Sequence, residues 1–315
     1  MLDILAITGV IFVLIGIGFL SVRLGVFTST DMDALGKFVI NLALPALILR
    51  AVSTRPLGEI ANLGYLGAVL FGSLAVFALG YLWTRRVTGG TVRQSTFAAM
   101  GMSCANSGFI GYPILLMALP EVAATALALN MIVENLVMIP LVLVMAERAA
   151  GGDLTGGRLV RKIAARLARN PILIALVLGL AVSASGITLP VLIDRPIDIL
   201  ASASAAVSLA VIGGSVAALR LRTARASVFH VVAGKLLGHP AAVALGLLLM
   251  AALGQRVSDP LLASAAVILA ATPAMAIYPI LAQRYGDDSN ASLAMLVMTA
   301  LSFLTISAML AIALP

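Results

Sequence analysis

Long apolar runs separated by short polar stretches make up most of this chain. The runs lie at residues 3–22, 36–54, 61–84, 94–118, 122–146, 171–186, 196–219, 226–253, 260–283 and 289–314. Their lengths are close to the roughly 20 apolar residues that one helix needs to cross a bilayer. None of the runs shows the sustained alternation that a transmembrane strand requires. Because backbone groups in lipid must bond within their own segment, the pattern predicts an all-α polytopic membrane protein with ten spanning helices.

The composition excludes a soluble domain. Of the 315 residues, 62% are hydrophobic and only 10% are charged, and the mean hydropathy is +1.13. Soluble domains carry about 25% charged residues, so this chain has too few charges to cover a water-facing surface. The net charge of +7 would suggest nucleic acid in a soluble protein, but here the basic residues lie in short loops between apolar runs. We therefore predict the lipid bilayer as a partner and no nucleic acid.

The basic residues also predict the orientation. If the N-terminus lies outside, fourteen of the loop lysines and arginines face the cytoplasm, and the four that face outward are Arg50, Arg55, Arg195 and Arg256. An excess of positive charge is typical of cytoplasmic loops. We expect a multi-pass protein of the inner (plasma) membrane with both termini outside. The Gly-rich and basic linker 147–170 is then cytoplasmic.

An internal repeat relates two predicted units of five helices, residues 1–146 and 171–315. The segment Tyr112–Leu115 recurs as Tyr278–Leu281, at an offset of 166 residues. Because five is an odd number, the second unit enters the membrane from the opposite side, and the two units are inverted relative to each other. Inverted repeats are common in secondary transporters, whose substrate sites lie near the bilayer midplane. The repeat therefore predicts alternating access.

The fourth helix of each unit carries residues that interrupt a helix, because proline removes a backbone donor and clashes with the preceding turn. These are the predicted fourth and ninth helices, and we expect them to be broken and to cross. Half-helix N-termini expose N–H groups and a partial positive charge, which suits a carboxylate. The alternative is that each break is only a packing kink. The predicted substrate site combines both interruptions with one residue of the second helix: Asn106, Ser107, Gly108, Gly111, Tyr112, Pro113, Thr272, Pro273, Tyr278, Pro279 and Asn41.

Three further polar residues within spans are candidates for coupling or support: Glu134, Asn135 and Lys235. Glu134 is interpreted either as a proton-coupling or support-site carboxylate or as a packing residue, since intramembrane carboxylates usually face the bundle interior. Lys235 either pairs with Glu134, attracts an anion, or snorkels toward the inner surface. His230 and His239 have no ligand-type neighbours at metal-binding spacing, so no metal site is expected.

Several stretches of the chain match the motifs of a known carrier family. They are Lys37–Val39 followed by Leu44–Pro45, Asn106–Pro113, Asn170–Ile172 with Gly179, and Ala282–Gly286. Together they resemble the auxin efflux carrier family, which includes the plant PIN carriers and the bacterial malate-permease-like proteins. The resemblance implies two inverted five-helix repeats and outward movement of organic anions. The long hydrophilic loop of many plant members is absent, and the spacing of the second interruption differs from that of plant members.

These observations predict a secondary transporter that exports small organic anions such as auxin-like or dicarboxylic acids. The chain has no phosphate-binding or hydrolase motif, so we expect neither a cofactor nor an enzymatic activity. The alternatives are a cation/proton antiporter with the same plan and a sensor built on a carrier fold. The predicted partners are a small organic anion and the bilayer, with a homodimer left open.

Overall fold

The described part of the chain is helical throughout, apart from short connections. The computed structural model describes residues 2–55, 62–150, 157, 161, 164–165, 167–218, 226–286 and 291–313. Within these residues every named element is a helix. The β-type backbone pairing that they contain is one isolated bridge. The prediction of an all-α protein is thereby confirmed. Much of the predicted linker 147–170 lies outside the described residues.

The helices follow the order of the predicted spans. They are α1 (Leu2–Arg23), α2 (Ser29–Ser53), α3 (Leu63–Arg86), α4a (Val92–Ser103), α4b (Ser107–Ala118), α5 (Pro120–Ala149), α6 (Pro171–Ser185), α7 (Val191–Ala218), α8 (residues 226–252), α9a (Pro260–Ala270), α9b (Tyr278–Arg284) and α10 (Ala291–Ala313). Among the described helices, six are long and apolar enough to cross a membrane, namely α2, α3, α5, α7, α8 and α10. Shorter apolar segments lie in α1, α4b, α6 and α9a. The protein is therefore a multi-pass membrane protein.

Helix α2 begins seven residues before the apolar run that predicts it. Thr28 caps the helix: its hydroxyl accepts a hydrogen bond from the Asp31 amide at 3.2 Å, and the Asp31 carboxylate accepts one from the Thr28 amide at 2.8 Å. This reciprocal pair satisfies two backbone donors that the helix leaves free at its start. The first turn is polar, so hydropathy alone places the start of the helix too late.

Four helices contain a π-helical turn shortly before a proline. The turns are Val39–Ala43, Ser107–Gly111, Glu134–Met138 and Gly234–Gly238, and the prolines that follow them are Pro45, Pro113, Pro140 and Pro240. A proline ring clashes with the carbonyl four residues earlier, and a wider turn gives that carbonyl room. As a result α2, α5 and α8 remain continuous across their prolines.

Helices from the two sequence halves pack closely against each other. Helix α1 lies along α7, α2 along α6, and α3 along α8. Glycines permit this approach: a Cβ atom at Gly18 would overlap the Ala210 carbonyl, and one at Gly213 would overlap the Ile15 carbonyl. Small residues at helix interfaces let backbones approach closely in membranes, where packing is a main source of helix association. Each of these three helix pairs therefore joins one helix from the first half of the sequence to one from the second half.

We expect Gly18→Ala to lower the free energy of unfolding by about 1–3 kcal/mol, because the added methyl group forces α1 away from the α7 backbone. Gly16 provides a matched control in the same helix, since a Cβ atom there would meet nothing within 4 Å. Gly16→Ala should stay within about 1 kcal/mol of the wild type. Thermal unfolding in detergent measures both variants. Equal stability of the two would contradict the close packing.

Candidate functional site

The two interrupted helices meet at their breaks. Residues 104–106 separate α4a from α4b, and residues 271–277 separate α9a from α9b. The Asn106 amide donates to the Pro273 carbonyl at 2.9 Å, and the Met275 amide donates to the Cys104 carbonyl at 3.1 Å. Each break thus provides partners for backbone groups that the other break leaves free. Buried backbone groups need such partners because no water satisfies them.

A cavity of about 690 Å³ lies beside this meeting point. Its wall is formed by both interruptions and by parts of α2, α5 and α6. Most of the wall is apolar, and the polar and charged residues in it are Asn106, Ser107, Asn135, Asn170, Arg169 and Arg284. Among the residues that the structure places in the wall there is no aspartate or glutamate. An apolar cavity with a few polar groups and two arginines suits a small anion.

Asn106 provides an unused hydrogen-bond donor in this wall. Its side chain is only 2% exposed, and its Nδ2 atom has no hydrogen-bond partner within the described structure. A buried donor without a partner costs about 1–3 kcal/mol, so a ligand oxygen placed there would recover that free energy. Thr272, the corresponding polar residue of the second interruption, instead donates to the Leu269 carbonyl at 2.7 Å and does not line the cavity.

Glu134 supports the first interruption from α5, and its side chain is 2% exposed. Three donors converge on its Oε1 atom: the Ala105 amide at 3.1 Å, the Ser107 hydroxyl at 2.9 Å and the Asn130 side-chain amide at 3.2 Å. The Asn130 amide also donates to the Ser107 hydroxyl at 2.7 Å. The carboxylate therefore fixes the short segment that carries Asn106.

A pair of asparagines joins α5 to the start of α6 at the cavity wall. Asn170 Nδ2 donates to Asn135 Oδ1 at 3.0 Å, and Asn135 Nδ2 donates to the Met131 carbonyl at 2.9 Å. Asn170 also caps α6, because its Oδ1 accepts from the Ile172 amide at 3.0 Å. Both side-chain amides of the pair are thus occupied within the protein.

Lys235 does not snorkel toward the membrane surface. Its side chain is 0% exposed. The Nζ atom donates to the carbonyl of Ala270, the last residue of α9a, at 2.5 Å and lies 3.0 Å from His239 Nδ1. His239 Nε2 lies 3.0 Å from the Ser73 hydroxyl on α3. The interpretation of Lys235 as a snorkelling residue is wrong because α8 turns this face toward α9a and α3 rather than toward lipid.

The other predicted site residues occupy different environments. Gly108 lines the cavity, and a Cβ atom there would lie 2.8 Å from Leu44 Cδ1. Gly111 faces α9a, where a Cβ atom would overlap the Leu269 side chain. The remaining residues of the two interruptions are buried outside the cavity wall: Tyr112, Pro113, Pro273, Tyr278 and Pro279. Asn41 is exposed, and its amide donates to the Lys37 carbonyl of its own helix at 2.7 Å.

Four polar residues around the crossing were missed as site residues: Ser73, His239, Arg169 and Arg284. A signal for two of them was present in the sequence. Ser73 and His239 are 166 residues apart, which is the offset of the predicted repeat, so the repeat predicts equivalent positions for them. The two arginines carry no such signal, because loop arginines are common in membrane proteins.

We expect Asn130→Ala to lower the free energy of unfolding by about 2 kcal/mol, because it removes a donor from the buried Glu134 carboxylate. Asn41→Ala is a matched control, since it removes an exposed hydrogen bond within one helix. That variant should change stability by less than about 0.5 kcal/mol. Thermal unfolding in detergent again gives the comparison. A neutral effect at position 130 would show that the network contributes little to the fold.

Comparison with known proteins places the chain in a family. A family described as "Membrane transport protein" matches residues 7–310. A Rhizobium meliloti (strain 1021) protein named "Putative malonate transporter" is 31% identical over 311 residues, covering 96% of this chain and 95% of the relative. A Methanothermobacter thermautotrophicus protein named "Uncharacterized transporter" is 34% identical over 108 residues, covering 33% of this chain and 34% of that relative.

The family match spans both interruptions and the cavity between them. The family description and the names of both relatives point to a transporter rather than an enzyme. The predicted resemblance is confirmed, because the match extends over nearly the whole chain. This chain belongs to the membrane transport protein family of the auxin efflux carriers.

Proposed function

We propose that this protein is a secondary transporter that exports small organic anions, with the substrate held at the crossing of α4 and α9. The observation that carries the proposal is the unpaired amide of Asn106 in a cavity wall whose described residues include two arginines and no carboxylate. The name of the Rhizobium relative makes malonate, a dicarboxylate, the first substrate to test.

The electrostatics of the cavity favour an anion. Arg169 and Arg284 carry positive charge in a wall that is mostly apolar, and apolar walls weaken the screening of such charges. Helix α4b also contributes to the electrostatics of the cavity. It begins at Ser107, directly after Asn106, so the N–H groups that its first turn leaves without a partner in the helix lie near the crossing. The partial positive charge of a helix N-terminus adds to the attraction for a carboxylate.

We propose a ten-span architecture of two inverted units, residues 1–146 and 171–315, joined by a cytoplasmic linker 147–170. The contacts between helices support this proposal. If α1 to α5 correspond to α6 to α10, the contact of α1 with α7 and that of α2 with α6 are equivalent. The contact of α3 with α8 and the meeting of α4 with α9 each relate a helix to its own counterpart, as helices near a two-fold axis do.

The proposed transport cycle is alternating access, and the distribution of charged contacts supports an inward-facing state. The cavity reaches Arg169 and Arg284, which the charge distribution assigns to the cytoplasmic side. Two arginines assigned to the outer side take part in contacts between segments. Arg50 pairs with Asp198 at 2.7 Å, and the Arg55 guanidinium donates to the Glu121 carbonyl. These contacts close the side opposite the cavity.

A second candidate function is cation/proton antiport in the inner membrane. The observation in its favour is that Glu134 binds the Ala105 amide within the first interruption, so a carboxylate lies directly beside the crossing. The same reconstituted vesicles distinguish the two functions. Exchange of labelled malonate supports the organic-anion carrier, whereas sodium/proton exchange without malonate exchange supports the antiporter.

We expect Asn106→Ala to abolish malonate counterflow in proteoliposomes while membrane insertion stays intact, because the variant removes the donor offered to the substrate. Pro113→Ala should have the same effect, because it removes the proline that the π-helical turn Ser107–Gly111, next to the break, accommodates. Asn41→Ala is the control and should retain wild-type counterflow. Wild-type flux in both crossing variants would overturn the proposed site.

We expect Arg284→Gln and Arg169→Gln each to raise the KM for malonate about three- to tenfold at low salt, with little change in maximal flux, because these charges attract the anion before it binds. The difference from the wild type should shrink at high salt. Arg23→Gln is the control, since Arg23 lies over the Phe19 ring and outside the cavity wall. Initial rates at several salt concentrations measure the effect, and equal KM values would remove the arginines from the substrate path.

A further inference from the structure

The C-terminus of α9a has one carbonyl that the backbone does not serve. A helix leaves its last four carbonyls without partners inside the helix. In α9a, the carbonyls of residues 267–269 accept hydrogen bonds from the amides of the two residues that follow the helix, at 3.0 to 3.2 Å. The Ala270 carbonyl receives no such amide among the described residues and accepts instead from Lys235 Nζ at 2.5 Å. Lys235 therefore caps the end of α9a from α8.

Two further side chains hold the Lys235 amine in place. Its Nζ atom lies 3.0 Å from Nδ1 of His239, four residues further along α8. The other ring nitrogen of His239, Nε2, lies 3.0 Å from the Ser73 hydroxyl on α3. All three side chains are at most 2% exposed. Because buried polar groups take their partners from the protein, each member of this chain orients the next.

The donors and acceptors of the chain match with one tautomer of the histidine. If Lys235 Nζ donates to His239 Nδ1, that nitrogen carries no proton and Nε2 carries it. The Nε2–H group then donates to the Ser73 hydroxyl oxygen. A lysine amine has enough N–H groups to serve the Ala270 carbonyl and the imidazole together. The hydrogen bonds are thus continuous from α3 through α8 to the end of α9a.

The capped end of α9a lies close to the contact that holds the first interruption. Three residues after Ala270, the Pro273 carbonyl accepts from the Asn106 amide at 2.9 Å. The Asn106 side chain carries the unpaired donor of the cavity wall. The placement of Pro273, and with it the backbone of Asn106, therefore depends on where α9a ends.

We propose that Ser73, His239 and Lys235 are positioning residues that fix the end of α9a and, through Pro273, the backbone of Asn106. None of the three side chains lines the cavity, so they act through the crossing and do not touch the substrate. The inference rests on the proposed function for its effect on transport alone. Its effect on the crossing needs no substrate.

Cys104 is a native probe of the crossing. It is the only cysteine of the chain, its side chain is 0% exposed, and its carbonyl accepts from the Met275 amide of the second interruption at 3.1 Å. Loss of the network should let the crossing open more often and expose the thiol. We expect Lys235→Met to raise the rate of N-ethylmaleimide labelling at Cys104 about tenfold, and Ser73→Ala about threefold. Mass spectrometry of the protein in detergent, well below its unfolding midpoint, measures the rate.

Two controls separate this effect from a general loss of stability. Ser208→Ala removes a buried hydroxyl that has no hydrogen-bond partner within the described structure, and it should label like the wild type. Gly18→Ala weakens the packing of α1 on α7 and leaves the network intact, so it should also label like the wild type. Ser73→Ala removes only a hydroxyl and tests the same network if Lys235→Met fails to fold. Wild-type labelling in the network variants, or an equal increase in Gly18→Ala, would overturn the proposal.

Two substitutions of His239 test which contact of the ring matters. Asparagine places a polar group near Nδ1 and can still bind Lys235, whereas glutamine places one near Nε2 and can still bind Ser73. Because the cap of Ala270 depends on the contact with Lys235, His239→Asn should keep the KM for malonate within about threefold of the wild type. His239→Gln and Lys235→Met should raise it about tenfold, with a smaller change in maximal flux. Counterflow in proteoliposomes measures both parameters, and equal KM values in the two His239 variants would contradict the positioning role of Lys235.

The two arms of the experiment also separate this inference from the proposed function. If the wild type transports no malonate or other carboxylate, the proposed function fails, and the labelling of Cys104 still decides whether the network holds the crossing. If the wild type transports malonate and the labelling rates do not change, the positioning role is wrong and the proposed function stands.

Discussion

The structure depends on one constraint: a helix that breaks inside a membrane must find partners for the backbone groups it releases. Here the partners come from a second broken helix, through the hydrogen bonds between Asn106 and Pro273 and between Met275 and Cys104. Neither break would be stable alone in a lipid environment, because each free group would cost several kcal/mol. The crossing is therefore a joint feature of two segments that are far apart in the sequence.

The same constraint separates structural polar groups from the group available to a ligand. Thr272 bonds to its own helix, Ser107 to Glu134, and Asn135 to Asn170 and Met131. The Asn106 amide is different, since its Nδ2 atom has no protein partner within the described residues. A membrane protein rarely leaves such a donor unused, because water does not satisfy it. Thr125, Glu134 and Ser208 also have a buried side-chain oxygen without a partner among the described residues, but of these four residues only Asn106 lies in the cavity wall. This combination marks the candidate substrate site.

The surrounding helices are built to hold this crossing closely. Glycines bring α1 against α7 and α2 against α6, while π-helical turns let three helices pass their prolines without breaking. Two of those turns carry buried ionisable residues, Glu134 in α5 and Lys235 in α8. A wider turn displaces the side chains that follow it from a regular helical position, which is a reason that such turns are frequent at functional sites.

The sequence by itself determined the all-α membrane class, the family and which two helices are interrupted, because hydropathy and helix-breaking residues act locally along the chain. It also drew attention to Asn106, Glu134 and Lys235 as polar residues within apolar runs. Only the tertiary structure decided that Lys235 is buried against Ala270 and His239, that Thr272 is occupied and Asn106 is not, and that Asn41 faces away from the cavity. Those outcomes depend on which helix faces which across more than a hundred residues of chain. Packing sets that choice, and no local pattern in the sequence records it.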